Sequence, residues 1–351
     1  MSSEQTSMDS SKSRSTAESG DSQAEYSGVW MPMDDGTQLY LRRWESGTNT
    51  TRAVLHIVHG MSEHSLRYAR LARRLRAEGI EVWAADQRGH GETACNKHND
   101  PGKGGLLGHC GDKDGFSRVT ADIDIINRAI IKKYPGLPVF LLGHSWGSFV
   151  AQNYIENYEG RSSVYGENPI NLAGCILSGT RGPDGIKITL GAPAMALLAA
   201  ILGARKSSPL ARAAADGPYN KHFRPNRTKS DWLSRDEKEV DAFVADPLCG
   251  NLCSVGFYRD MTRALNHIHR PEVLRKIRKE LPVYIISGSA DPVGDMGASP
   301  AALASAYRRL EIKDLETVLY PDARHETLNE TNRDEVTESL LSWLLRHCVA
   351  E

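Results

Sequence analysis

The chain has 351 residues, 40% of them hydrophobic, and 43 basic against 44 acidic side chains leave a net charge of −1. Such a length holds one large domain with an insertion or two ordinary domains, and the charge balance excludes the strongly basic surface of a nucleic-acid binder. The six cysteines are scattered, and Cys249 and Cys253 stand four apart without a second ligand pair at metal spacing, so reduced thiols and no metal are expected.

Residues 1–27 are Ser, Thr, Glu, Asp and Gln with almost no apolar content, which predicts a disordered tail. The tail has no apolar signal core, and its acids argue against a transit peptide, so a cytoplasmic protein is expected. Asp34-Asp35-Gly36 sits between strand-like segments within Trp30–Trp44 and predicts a β-hairpin. The next strand, Ala53–Val58, enters the loop His59-Gly60-Met61-Ser62-Glu63-His64. A helix over Tyr68–Glu78, a strand over Ile80–Ala85 and the loop Asp86-Gln87-Arg88-Gly89-His90-Gly91 follow. Val119, Ile123, Ile126 and Ile130 form one apolar stripe of a helix that Tyr134-Pro135-Gly136 stops.

Pro138–Leu142 is a buried strand that runs into Gly143-His144-Ser145-Trp146-Gly147 and then into Phe149, Val150, Ala151, Tyr154 and Ile155 at helical spacing. A turn this tight forces its central residue into a strained backbone and brings strand and helix so close that only glycine fits two positions to either side. The Ser145 hydroxyl is left at the carboxyl end of the strand and the positive end of a helix. After the strand Leu172–Leu177, strand–helix alternation lapses from Thr180 to Lys279. It resumes with the strand Val283–Ser287, a helix around Ala301–Leu310, the strand Thr317–Tyr320 and a closing helix over Arg333–His347. The fold class is therefore α/β, a mostly parallel sheet with helices on both faces. Its core comprises 28–179 and 280–351, and 180–279 is inserted.

A serine hydroxyl becomes nucleophilic only when a base takes its proton, and a third group must orient that base. In doubly wound sheets functional groups gather where strands end. Asp291 follows Gly288-Ser289-Ala290, with Asp295 as a nearby competitor, and His325 follows Pro321-Asp322-Ala323-Arg324. The order Ser145, Asp291, His325 suits this architecture. The oxyanion is expected to be bound by the N–H groups of Trp146 and of Met61.

These residues resemble the monoacylglycerol lipase and lysophospholipase branch of the α/β-hydrolases, which is also classed with serine aminopeptidase-like proteins. The resemblance rests on His59 to His64 with Arg67-Tyr68, on Asp86 to Gly91, on Gly143 to Gly147, on Gly288 to Asp291 and on Arg324-His325-Glu326, and spans about residues 28 to 348. It implies a lipid ester substrate, no cofactor and a helical cap over 180–279. Trp146 replaces the methionine that such proteins often carry, which keeps the amide donor but changes the pocket wall, and Glu92-Thr93 replaces a common serine.

Ile188 to Ala204 carries more apolar surface than a solvent-facing helix should, with Gly191 and Pro193 as breaks. Met195 and Leu198 are expected to line an acyl channel there, or the helix touches a lipid surface or packs within the cap. From Arg205 to Lys229 seven basic residues meet one acid, Asp216, either a solvated face or one drawn to anionic head groups. Two rival readings stay open. One is an aminopeptidase or acyltransferase with the same triad, the former using Asp231, Asp236, Glu237 or Glu239 to bind an ammonium group; the other is a non-catalytic binding protein. Nothing in the sequence speaks to oligomeric state.

Overall fold

The computed structural model describes residues 26–183, 186–215 and 217–348. Most of the expected disordered tail lies outside them, and its last residue, Ser27, already belongs to a strand.

Eight strands form one sheet: β1 (Ser27–Pro32), β2 (Gln38–Trp44), β3 (Ala53–Val58), β4 (Ile80–Asp86), β5 (Val139–His144), β6 (Gly174–Ser178), β7 (Val283–Gly288) and β8 (Leu315–Tyr320). Their order is β1-β2-β4-β3-β5-β6-β7-β8. The first hairpin is antiparallel and β2 runs antiparallel to β4, whereas every pair from β4 to β8 is parallel. Every residue of β3 to β7 is buried, which explains why these strands read as unbroken apolar runs and not as alternating ones.

The helices are α1 (Ala69–Arg76), α2 (Gly91–Cys95), α3 (Gly115–Lys133), α4 (Trp146–Asn157), α5 (Ile186–Leu202), α6 (Pro209–Ala215), α7 (Glu237–Ala245), α8 (Val255–Ile268), α9 (Pro271–Leu274), α10 (Ala298–Arg309) and α11 (Arg333–Arg346). Strand pleating splits the core between the two faces of the sheet. Val139, Leu141, Cys175, Leu177, Val283 and Ile285 face a cluster with α3, α4, α8 and α10. Phe140, Leu142, Ile176, Tyr284 and Ile286 face another with α1 and α11.

Between β6 and β7 the described chain forms helices α5 to α9, and α8 packs on α3, α4 and α5. Met195 and Leu198 of α5 lean on the main core, whereas Leu197 and Ile201 are 64% and 70% exposed. Among the described residues no helix is long and apolar enough to cross a membrane.

Candidate active site

Parallel pairing brings the strand ends level. Val58 pairs with Gly143 across β3 and β5, His144 with Ser178 across β5 and β6, and Gly288 with Tyr320 across β7 and β8. The loops that carry residues 60–63, 145, 291 and 325 therefore leave the same edge of the sheet.

Ser145 sits between β5 and α4 with φ 52° and ψ −123°, in the positive-φ region that non-glycine residues avoid. The turn closes only because its flanks lack side chains: a Cβ on Gly147 would lie 2.2 Å from the Val58 carbonyl oxygen, and one on Gly143 would lie 2.4 Å from the Gly147 carbonyl oxygen. The loop after β3 passes against this turn, so that a Cβ on Gly60 would stand 3.2 Å from the Ser145 Cβ. Trp146 opens α4, where an amide has no intrahelical acceptor.

His325 Nδ1 lies 3.0 Å from both carboxylate oxygens of Asp291. Asp291 is wholly buried and also accepts from Ser287 Oγ at 3.3 Å and from the Val293 amide at 2.8 Å. Its rival Asp295 is exposed. Burial pulls the His325 pKa down, but the charge and hydrogen bond of Asp291 outweigh it and hold the ring above the ordinary histidine value. Burial likewise raises Asp291, and His325 with two backbone amides brings it below the usual carboxylate range. The ring packs beside His144 at 4.9 Å and Trp232 at 5.1 Å between centroids.

Ser145 and His325 line one cavity, together with Gly60, Met61, Trp232 and Tyr258. Among the described residues no hydrogen bond joins the Ser145 hydroxyl to the His325 ring; such bonds are often long before substrate arrives.

The β3 loop is fixed by two devices. The Gln87 amide donates to His59 Nε2 at 3.0 Å, so that nitrogen is unprotonated and Nδ1–H donates to the Gly60 carbonyl at 2.8 Å. Glu63 Oε1 accepts the Gly60 amide at 2.5 Å and the Tyr68 hydroxyl at 3.0 Å, while Oε2 accepts from Arg67 at 2.7 Å. Arg67 also grips Glu326, the neighbour of His325. Burial would raise Glu63, but the Arg67 charge prevails and lowers it to about 2. Sequence reading counted Arg67 and Glu326 among the residues that carry the family resemblance but assigned a role to neither.

Several expected placements differ from the structure. Met195 and Leu198 do not line the cavity, because α5 turns them onto α8 and the core. The Trp146 side chain is not part of its wall either; it stacks on His90 at 5.4 Å and meets Phe257 at 5.0 Å. Nor do the acids Asp231, Asp236, Glu237 and Glu239 line it. Asp236 pairs with Arg333, Glu239 with Arg70, and Asp231 accepts the amides of Arg227 and Thr228.

Among the described residues one group could hold a metal ion, His64, Asp246 and Cys249, with ligand atoms within 4.8 Å of one another. Burial pushes the Cys249 thiol far up, and Asp246 accepts from His64 Nε2 at 2.8 Å.

Residues 49–332 match the family described as serine aminopeptidase, S33. The chain is 29% identical to a human monoglyceride lipase over 87% of its own length and 85% of that protein. It is 26% identical to a monoacylglycerol lipase of Mycolicibacterium smegmatis over 89% of its length and 94% of that protein. A thermostable carboxyl esterase from Bacillus coagulans, solved with glycerol, superposes with a TM-score of 0.81 at 25% identity, covering 92% of this chain and 99% of the esterase. With the eight-stranded sheet and the strained serine turn, these matches establish that the chain belongs to the serine aminopeptidase S33 family, among the monoglyceride lipase-like α/β-hydrolases.

Proposed function

We propose that the protein hydrolyses carboxylic esters of glycerol-based lipids, monoacylglycerols or lysophospholipids, through an acyl-enzyme on Ser145. The observation that carries this reading is a strained, cavity-facing serine beside a histidine whose far nitrogen is engaged by a buried carboxylate. Ser145 Oγ attacks the ester carbonyl carbon while His325 Nε2 takes its proton. Asp291 keeps Nδ1 protonated and stabilises the imidazolium that forms. The amides of Met61 and Trp146 bind the carbonyl oxygen as it becomes negative. The acyl C–O bond then breaks, and the leaving glycerol oxygen receives the proton from His325. A water molecule, deprotonated by the same nitrogen, attacks the acyl carbon and frees the fatty acid and Ser145.

The relatives and the esterase solved with glycerol support this substrate class. In this reading 180–279 serves as a cap that supplies Trp232 and Leu233 to the cavity wall, and the exposed Leu197 and Ile201 meet the lipid surface that presents the substrate. Against the aminopeptidase alternative stand the carboxylates of the lining: Glu63 and Glu326 share Arg67 and are unavailable to a substrate ammonium.

Labelling with a fluorophosphonate, followed by turnover of matched ester and amide substrates, tests the proposal. Labelling abolished by Ser145→Ala and ester cleavage far above amide cleavage are expected. Absence of labelling in the unaltered protein would refute it.

A further inference from the structure

The surroundings of the proposed base are completed from the inserted segment. Among the described residues the His325 ring meets two other rings, His144 of the core and Trp232 of 180–279. The indole lies 5.1 Å from the imidazole between centroids with the planes inclined by 36°, nearer to stacking than to edge contact. Trp232 is half-buried, precedes α7 and also lines the cavity. Its stretch is fastened to both neighbours of the base. The Leu233 carbonyl accepts the Glu326 amide at 2.8 Å, and the Ser234 carbonyl accepts from Arg324 Nη1 at 3.0 Å. Asn220 Oδ1 holds the Trp232 amide at 3.0 Å. Gly179 also crowds the imidazole, since a Cβ there would lie 3.0 Å from His325 Cε1.

A buried ring that takes up a proton needs partners for the charge it gains. Asp291 engages Nδ1. The other carboxylates that act on the ring, Glu326 and Glu63, share Arg67, and burial holds the His144 ring at about 4, uncharged at neutrality. The face of an indole attracts a cation within about 6 Å of its centroid, most strongly where water is excluded, and an aliphatic side chain gives the same cover without that attraction. We infer that Trp232 is a positioning residue for proton transfer, its indole stabilising the imidazolium that forms when Ser145 gives up its proton. This deepens the ester-hydrolase reading and rests on it. The proton moves from Ser145 Oγ to His325 Nε2, and Trp232 exchanges neither atoms nor electrons.

The test compares Trp232→Leu, which keeps apolar cover, with Trp232→Phe, which keeps an aromatic face, on the short soluble ester p-nitrophenyl butyrate. Trp232→Leu is expected to lower kcat by about two- to thirtyfold, the range of a cation–π contact from wet to dry sites, with KM little changed. Trp232→Phe should restore most of that loss. Losing the indole disfavours the charged ring, so the climb of kcat/KM with pH should begin at lower pH in Trp232→Leu and stay near its original place in Trp232→Phe. Equal kcat and equal profiles in the two variants, or a loss confined to KM, overturn the inference. A second arm follows the His325 ring by NMR titration in Ser145→Ala, with and without Trp232→Leu. A lower midpoint with leucine supports the role, and an unmoved midpoint overturns it. This arm needs no turnover, so it reads the ring even where missing fluorophosphonate labelling has refuted the hydrolase reading.

Discussion

Arg67 and Glu326 face each other through two parallel hydrogen bonds, Nη1 to Oε1 at 2.6 Å and Nη2 to Oε2 at 2.7 Å. The same Nη1 reaches Glu63, which accepts the Gly60 amide. One guanidinium thus ties the loop after β3 to the loop after β8, and so ties the expected oxyanion donor to the expected base. All three side chains are nearly or wholly buried, and both carboxylates depend on Arg67 to stay charged.

Arg67→Met is expected to leave two carboxylates uncompensated and to cost about 3–5 kcal/mol of stability. Arg67→Lys keeps the charge but cannot bridge both carboxylates with fork geometry, so kcat should fall with a smaller loss of melting temperature. Melting curves and steady-state kinetics on the two variants check this. The pH dependence has a defined sign. Glu63 drops from the ordinary 4.5 to about 2 on folding, so its stabilisation is complete above pH 4.5 and is lost as pH falls toward 2. Urea melts across that window should show the loss, and in Arg67→Met, where the guanidinium no longer opposes burial, the loss should shrink or change sign.

Asp291→Asn should lower kcat by about 10⁴, because the amide no longer enforces the tautomer that leaves Nε2 free to accept. The ring must be neutral to act as a base, and Asp291 raises its pKa, so activity in the unaltered protein climbs at a pH above the ordinary histidine value. Without that charge the climb should move to lower pH. A pH–rate profile of the residual activity reads the shift, and an unmoved profile would remove Asp291 from the role proposed for it.

Gly60→Ala places a methyl group 2.8 Å from Glu63 Oε1 and 3.2 Å from the Ser145 Cβ. The loop must retreat, and an amide aimed at the oxyanion retreats with it. A fall in kcat of about 10²–10³ is expected with KM little changed. Loss confined to KM would show that this loop binds substrate without stabilising the transition state.

Leu197→Glu and Ile201→Glu replace exposed apolar side chains on α5 that the core does not need. Co-sedimentation with phospholipid vesicles should fall, along with turnover of long-chain esters in those vesicles, while a short soluble ester is cleaved as before. Equal losses on both esters would disprove the surface-contact role.

Much of the scaffold was legible because parallel strands buried on both faces appear as apolar runs such as Val139 to Leu142, and because Gly143 is demanded by the backbone of Gly147 and Ser148 only a few residues on, although the backbone that excludes a side chain at Gly147 comes from the distant Val58 and His59. Asp291 and His325 were found from their distance past successive strands, which the register of β7 with β8 converts into adjacency. The Arg67–Glu326 contact spans 259 residues and leaves no local periodicity to detect. For a related reason the pocket-wall place given to Trp146 was wrong, and packing could not be chosen over an acyl channel for Met195. Apolar content says that a side chain will be covered, but not whether the neighbour that covers it is α8, His90 or a substrate.

The imidazoles of His56, His59, His90 and His144, buried along the same strands and loops, are all held below the ordinary histidine pKa by their burial. Against them His325 alone is held above it. Around neutrality these five rings therefore offer a single proton-sensitive dial. Anyone wishing to retune the working acidity of this protein has Asp291 to adjust first, and then Glu326 and Glu63, while the other four rings act as electrically silent masonry.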